Sequence, residues 1–255
     1  MEIQYDLNNL PTFPFPIGLT IGMFDGLHLG HQHLFKSLKE KTKSHIVLTF
    51  SLPPRSLFKK KMSYLTPLNY KEKLLQEERF DLILVLPFTQ EIKQMSYESF
   101  LSLLKEKTNF SHLFLGEDAT LGKNREGNKE NVSKFAKGNG FAFTALDLLM
   151  FENLPITSSR IKGALLNGEI EKVKRMLGRD LVYFLSSMKK HGAFYMSFEK
   201  SLCLPPSGVY SALLKDKDKT CKASLEIDQK NSGIKIKKSY IDKNNLTFPM
   251  KIILT

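Results

Sequence analysis

The sequence predicts an α/β protein: a doubly wound parallel sheet followed by a smaller β-barrel domain. Two observations carry this reading. Up to about residue 150 short apolar runs alternate with segments of helical periodicity, the pattern of strands joined by crossover helices. From about 181 the segments become short, β-branched and aromatic, punctuated by Pro205-Pro206-Ser207-Gly208 and by Lys215-Asp-Lys-Asp-Lys, as expected of a small all-β domain. The boundary is read as 1–180 and 181–255.

Each element follows from local chemistry. Residues 17–22, Ile-Gly-Leu-Thr-Ile-Gly, form a buried strand, and 31–42 a helix with Leu34, Phe35 and Leu38 on one side. Strands follow at 45–50, 81–86, 112–116 and 140–146, separated by helices near 67–79, 96–107 and 128–138. Two further helices, 157–167 and 169–177, flank Gly168, and Gly178 is placed to cap the second. There is no internal repeat or low-complexity segment.

Composition excludes several classes. With 42% hydrophobic and 25% charged residues, 15 glycines and 11 prolines, the chain is neither disordered nor collagen-like. No apolar stretch approaches the roughly 18 residues of a membrane span. Acidic Glu2 and Asp6 stand where a secretory signal carries basic residues, and Cys203 and Cys221 make no disulfide framework or zinc motif. A soluble cytoplasmic protein is expected. The net charge is +12, of which residues 186–255 carry +7, with 13 lysines against 6 acids. This excess attracts polyanions without choosing among them.

The chemistry concentrates in Gly22-Met-Phe24-Asp25-Gly26-Leu-His28-Leu-Gly30-His31, which leaves the first strand and opens the first helix. Glycines admit close backbone approach, helix-terminal amides point at anions, and imidazoles three residues apart can donate to one phosphate chain. Phosphate binding is the reading, and the spacing suits a triphosphate. The alternatives are histidines that only cap the helix, or a metal pair, for which no nearby carboxylate or thiolate set completes a site.

This decamer resembles the G-x-F-D-G-x-H-x-G-H signature of the HxGH nucleotidyltransferases, whose fold is Rossmann-like. From about residue 15 to 185 the chain resembles one branch of them, the bacterial bifunctional riboflavin kinase/FAD synthetases. Three further segments carry that likeness. Leu48-Thr-Phe-Ser-Leu-Pro-Pro-Arg-Ser-Leu-Phe58 matches a T-F-x-P-H-P-x-x-x-F loop in part, with Leu52 in place of its first proline and Pro53 in place of its histidine. Gly116-Glu-Asp118-Ala-Thr-Leu-Gly122-Lys-Asn-Arg125-Glu-Gly127 matches G-x-D-F-x-F-G-x-x-R-x-G, with Ala119 and Leu121 where the family prefers phenylalanine. Ile156-Thr157-Ser158-Ser159-Arg160-Ile161 resembles I-S-S-T-R-I at a helix start, where Thr157 or Ser158 could also serve as the N-cap.

The resemblance implies an FMN adenylyltransferase that makes FAD and pyrophosphate from ATP and FMN with Mg²⁺. His28, His31 and Arg160 would be its catalytic residues. ATP would be held by Gly22, Phe24, Asp25, Gly26, His28, Gly30, His31, Ser158, Ser159 and Arg160. The flavin and its phosphate would meet Asp118, Gly122, Arg125 and Gly127, and the metal ligand is open, with Asp118 and the ATP phosphates as candidates. Asp25 is balanced between accepting from loop amides and acting in the site. His28 and Arg160 are expected at an exposed cleft.

Leu177-Gly-Arg179 resembles the family's junction into a riboflavin kinase domain, and Leu204-Pro-Pro-Ser-Gly208-Val-Tyr210 echoes its L-P-x-x-G-V-Y. No P-T-A-N segment stands between 180 and 204, and Glu226 has no matching context. A kinase-like β domain without kinase activity is therefore expected. Other readings stay open: a different acceptor, such as nicotinate mononucleotide or phosphopantetheine, or a non-catalytic binder of flavin or RNA. Nucleic acid and membrane are not expected as partners, and the oligomeric state is left open.

Overall fold

The computed structural model describes residues 2–51, 63–190, 193–197, 201–216, 219–230, 233–239 and 250–254. By packing, these form two compact units: Met1–Lys61 with Leu68–Pro155, and Met62–Pro67 with Ile156–Thr255. Leu52 and Pro53, the departures in the loop after the second predicted strand, lie outside the described residues.

The first unit contains β1 (Glu2–Gln4), β2 (Ile17–Ile21), α1 (Leu29–Lys41), β3 (Ser44–Phe50), α2 (Leu68–Glu77), β4 (Leu82–Leu86), α3 (Gln90–Gln94), α4 (Tyr97–Thr108), β5 (His112–Gly116), α5 (Lys129–Gly138) and β6 (Ala142–Leu146). A two-stranded hairpin follows, β7 (Met150–Phe151) with β8 (Leu154–Pro155). The sheet runs β1-β4-β3-β2-β5-β6, and every neighbouring pair is parallel. All five residues of β2 and of β4 are buried, because a parallel sheet is covered by helices on both faces. Ile17, Leu19, Ile46, Leu48, Leu82, Leu84 and Leu113 pack against Leu101 and Leu104 of α4 and Val132 of α5. On the opposite side α1 lies along β2, β3 and β5 and buries Leu34, Phe35 and Leu38.

The chain crosses from β2 to β3 in one direction and reaches β5 on the other side of β2, so the strand order reverses between β2 and β5. In open parallel sheets that reversal parts the connections and leaves a crevice beyond the carboxyl ends of the two strands. Thr20 pairs with Phe114, so two residues further on Gly22 and Gly116 leave the sheet at the same level.

The second unit holds α6 (Ser158–Leu166), α7 (Ile170–Leu177) and six antiparallel strands: β9 (Leu181–Lys190), β10 (Ala193–Ser197), β11 (Gly208–Asp216), β12 (Lys219–Asp228), β13 (Gly233–Ser239) and β14 (Met250–Leu254). These close as β10-β13-β12-β11-β14-β9, which leaves no sheet edge unpaired. Alternate residues fill the interior, among them Ala212, Leu214, Ala223, Leu225, Ile227, Ile252 and Leu254. Gly178 ends α7 in the left-handed conformation at φ 72°, as its position predicts. By packing, the division falls after Pro155 and groups α6 and α7 with the barrel, where the sequence reading sets it at 180. Cys203 and Cys221 form no disulfide. No helix among the described residues is long and apolar enough to cross a membrane.

Candidate functional site

The turn after β2 is built inside the protein. The Gly22 amide donates to the Leu48 carbonyl at 3.0 Å, and the space where a side chain would stand at Gly22 is taken by the Phe24 ring, 3.0 Å from an ideal Cβ. Phe24 is buried, and its ring meets His31 edge-on at 5.2 Å and Phe35 at 5.1 Å. Phe24 at φ 46° and Leu27 at φ 36° occupy the left-handed region, which large side chains rarely adopt. Each such residue costs about 1–3 kcal/mol, held in place only by surrounding structure.

His28 occupies the N-cap of α1 with extended backbone, yet its side chain makes no capping bond. Its ring stacks on that of His31, with centroids 3.6 Å apart and planes 19° from parallel. Nδ1 of both rings is buried. His28 is 5% exposed, and the expectation of an exposed histidine is corrected here: stacking on His31 and the turn packed around Phe24 enclose it. The amides of Leu29 and Gly30 open the helix, where no intrahelical acceptor exists for them.

Beneath the turn lies a buried lysine that belongs to none of the sequence motifs. Lys71 of α2 is 3% exposed. Its Nζ donates to the Phe50 carbonyl at 2.7 Å, to Thr49 Oγ1 at 3.0 Å and to the Met23 carbonyl at 3.2 Å. Thr49 Oγ1 also donates to the Met23 carbonyl, at 3.2 Å. Burial pushes the ammonium down from 10.5 to about 8, against the pull of the Asp25 and Glu72 carboxylates. Asp25 is itself buried. The signal was present: Tyr70, Lys71, Leu74 and Leu75 share the buried face of α2, so a lysine stands where helical periodicity calls for an apolar residue.

The loop after β5 is constructed differently. Leu121 and Gly127 exchange backbone hydrogen bonds at 3.0 and 2.9 Å, closing the segment on itself. An ideal Cβ at Gly122, where φ is 74°, would lie 2.4 Å from the Tyr97 nitrogen, and one at Gly127 2.5 Å from the Tyr97 Cβ. Both glycines thus let the loop seat on the start of α4. Asp118 and Arg125 are exposed, and Arg125 Nε donates to Thr120 Oγ1 at 3.0 Å. Ala119 and Leu121 pack against the sheet core.

In the second unit, Thr157 is the N-cap of α6 and accepts from the Arg160 amide at 3.2 Å. Ser158, Ser159 and Arg160 form the first turn, with Arg160 half-buried. In the barrel, Gln229 Nε2 donates to the Leu204 carbonyl at 2.9 Å and the Gln229 amide to Ser207 Oγ at 3.0 Å. Tyr210 donates its hydroxyl to the Pro206 carbonyl at 2.8 Å. Among the described residues no group of three or more His, Cys, Asp or Glu is placed to hold a metal.

A family model described as FAD synthetase matches residues 14–160, a span that takes in the turn after β2, the loop after β5 and the start of α6. The chain belongs to the FAD synthetase family. Two bifunctional riboflavin kinase/FMN adenylyltransferases are similar to it: one from Buchnera aphidicola subsp. Schizaphis graminum, 30% identical over 75% of this chain and 64% of its own length, and one from Listeria monocytogenes, 32% identical over 63% of this chain and 53% of its own. The chain therefore matches less than two thirds of either relative. A crystal structure of a macrolide-efflux protein from Streptococcus pneumoniae superposes with a TM-score of 0.80 over 99% of this chain and 88% of that one, at 18% identity, which shows the fold alone.

Within this FAD synthetase fold the decamer and the Asp118 loop leave adjacent strand ends of one sheet. The start of α6 belongs to the other compact unit. Gly22, Phe24, Gly122 and Gly127, read from sequence as ligand-binding, each also have a packing role in the fold.

Proposed function

We propose that this chain is an FMN adenylyltransferase, converting ATP and FMN to FAD and pyrophosphate. The observation that carries the reading is the common exit of its two family loops, at the carboxyl ends of β2 and β5 where the strand order reverses. A nucleotide phosphate chain and a second phosphate can be held side by side there. A phosphate oxygen of FMN attacks the α-phosphorus of ATP in line. The bond to the β-phosphate oxygen breaks, and pyrophosphate leaves. No enzyme nucleophile is needed, so catalysis rests on positioning and charge stabilisation.

In this reading His28 and His31 donate to the triphosphate and stabilise charge developing at the α-phosphorus. Ser158, Ser159 and Arg160 hold the leaving pyrophosphate, the guanidinium as a bidentate clamp. Asp118 and Arg125, exposed on a self-closed loop, orient the flavin phosphate. Mg²⁺ enters as part of the substrate MgATP and would supply charge neutralisation on the phosphates. With no disulfide to hold the barrel, the reducing cytoplasm is the proposed location.

For the barrel we propose a kinase-like scaffold that does not phosphorylate riboflavin. Gly208, Val209 and Tyr210 begin β11, while no P-T-A-N segment stands between 180 and 204. One chromatographic experiment addresses both proposals. Purified protein with MgATP should convert FMN to FAD and leave riboflavin untouched. Adenylation of nicotinate mononucleotide or phosphopantetheine instead of FMN would overturn the acceptor, and ATP-dependent formation of FMN would overturn the loss of kinase activity.

A further inference from the structure

Resting on the adenylyltransferase reading, we propose that Lys71 is a positioning residue for the ATP phosphates, a buried clamp that holds the strained turn ahead of His28 through the Met23 carbonyl. The turn needs such a device. Phe24 and Leu27 hold left-handed backbone that their side chains disfavour, and the turn relaxes unless something outside it fixes its entry.

The ammonium of Lys71 joins two elements at once. It donates to the Phe50 carbonyl and Thr49 Oγ1 at the end of β3, and to the Met23 carbonyl immediately before Phe24. Thr49 reinforces the same carbonyl, and Asp25, inside the turn, attracts the charge. A leucine or methionine would satisfy the apolar face of α2 without the penalty of burying a cation. Buried ions are weak contributors to stability and are better attested as devices that specify one conformation. Here the conformation specified is that of Met23 to Leu27, and His28 follows directly.

The consequence is local, and that makes it separable from a purely structural role. In Lys71→Met, amide exchange in the peptide spanning residues 22–28 should accelerate about ten-fold or more, while peptides from β4 and β5 keep their protection. The Kd for MgATP should rise at least about five-fold, whereas a merely structural lysine would lower the fraction of competent protein without changing Kd. If Lys71→Met does not fold, Thr49→Val, which removes one anchor of the same carbonyl, must show the same local pattern at smaller amplitude. Unchanged exchange at 22–28, acceleration spread evenly over the sheet, or an unaltered Kd would overturn the proposal. So would a wild-type chain that binds no MgATP. A wild-type chain that binds MgATP with the predicted Lys71 dependence yet makes no FAD would instead sink the adenylyltransferase reading and leave the clamp standing.

Discussion

Two loops leave neighbouring strands of one sheet at the same level, and they differ in how they are buried and held. The turn after β2 is buried from Phe24 to His28, bends through left-handed residues that carry full side chains, and is held from beneath by Lys71 and Thr49. The loop after β5 exposes Asp118 and Arg125, closes on itself through Leu121 and Gly127, and seats on Tyr97 through two glycines. Both bend through left-handed residues with full side chains, Asn124 and Arg125 in the second. The first, however, is buried and propped from beneath by a charged side chain, whereas the second is exposed at Asp118 and Arg125, closed by its own backbone pair and seated on the start of α4. Function and stability should therefore be entangled in the first and separable in the second.

The largest expected effect lies in the first loop. His28→Ala should lower adenylyl transfer by about 10² or more, because removing a preorganised donor to developing charge costs about 2.7–4 kcal/mol. Steady-state kinetics beside a thermal melt would separate this loss of rate from any accompanying loss of stability. Arg160→Ala carries the same expectation through the leaving pyrophosphate.

The next effect is a pH dependence specific to the propped turn. Burial holds Lys71 at about 8 in the folded protein, with Asp25 and Glu72 opposing that shift, against 10.5 ordinarily. Between these values the unfolded chain binds more protons than the folded one, so stability rises with pH, by on the order of 3 kcal/mol across the window. Below about pH 8 the penalty is present in full. Denaturant titrations from pH 7.5 to 10.5 should show this rise for the wild type relative to Lys71→Met, and parallel curves would contradict the assignment.

Gly122→Ala should destabilise by about 2 kcal/mol, since its Cβ would strike the Tyr97 backbone from a left-handed residue. A lowered melting temperature is the readout. Smallest in stability is Asp118→Asn, expected within about 0.5 kcal/mol of wild type because the side chain is exposed, while the KM for FMN rises several-fold. If Asp118→Asn unfolds the protein as readily as a change in the first loop, the contrast between the loops fails.

Much of this was legible in the sequence. Apolar runs at 45–50, 81–86 and 112–116 placed three central strands within one residue of their observed ends, because a sheet covered on both faces leaves no polar alternation to confuse the reading. The edge strand Glu2–Gln4 escaped notice: three residues beside polar neighbours show no period. The short α3 and the Met150–Pro155 hairpin were missed for the same reason. The decamer marks the turn after β2, but the packing of the Phe24 ring against Gly22 is not visible in its spacing. Lys71 was invisible to motif reading, since its partners Met23, Thr49 and Phe50 come together only in the folded sheet.

The central claim concerns where the bond to ATP breaks. ATP labelled at the α-phosphorus, incubated with FMN, Mg²⁺ and the purified chain, should deliver its label to FAD, with the β- and γ-phosphates released together as pyrophosphate. Label that stays in unreacted ATP, or that appears in ADP or in an adenylated product other than FAD, would contradict the account.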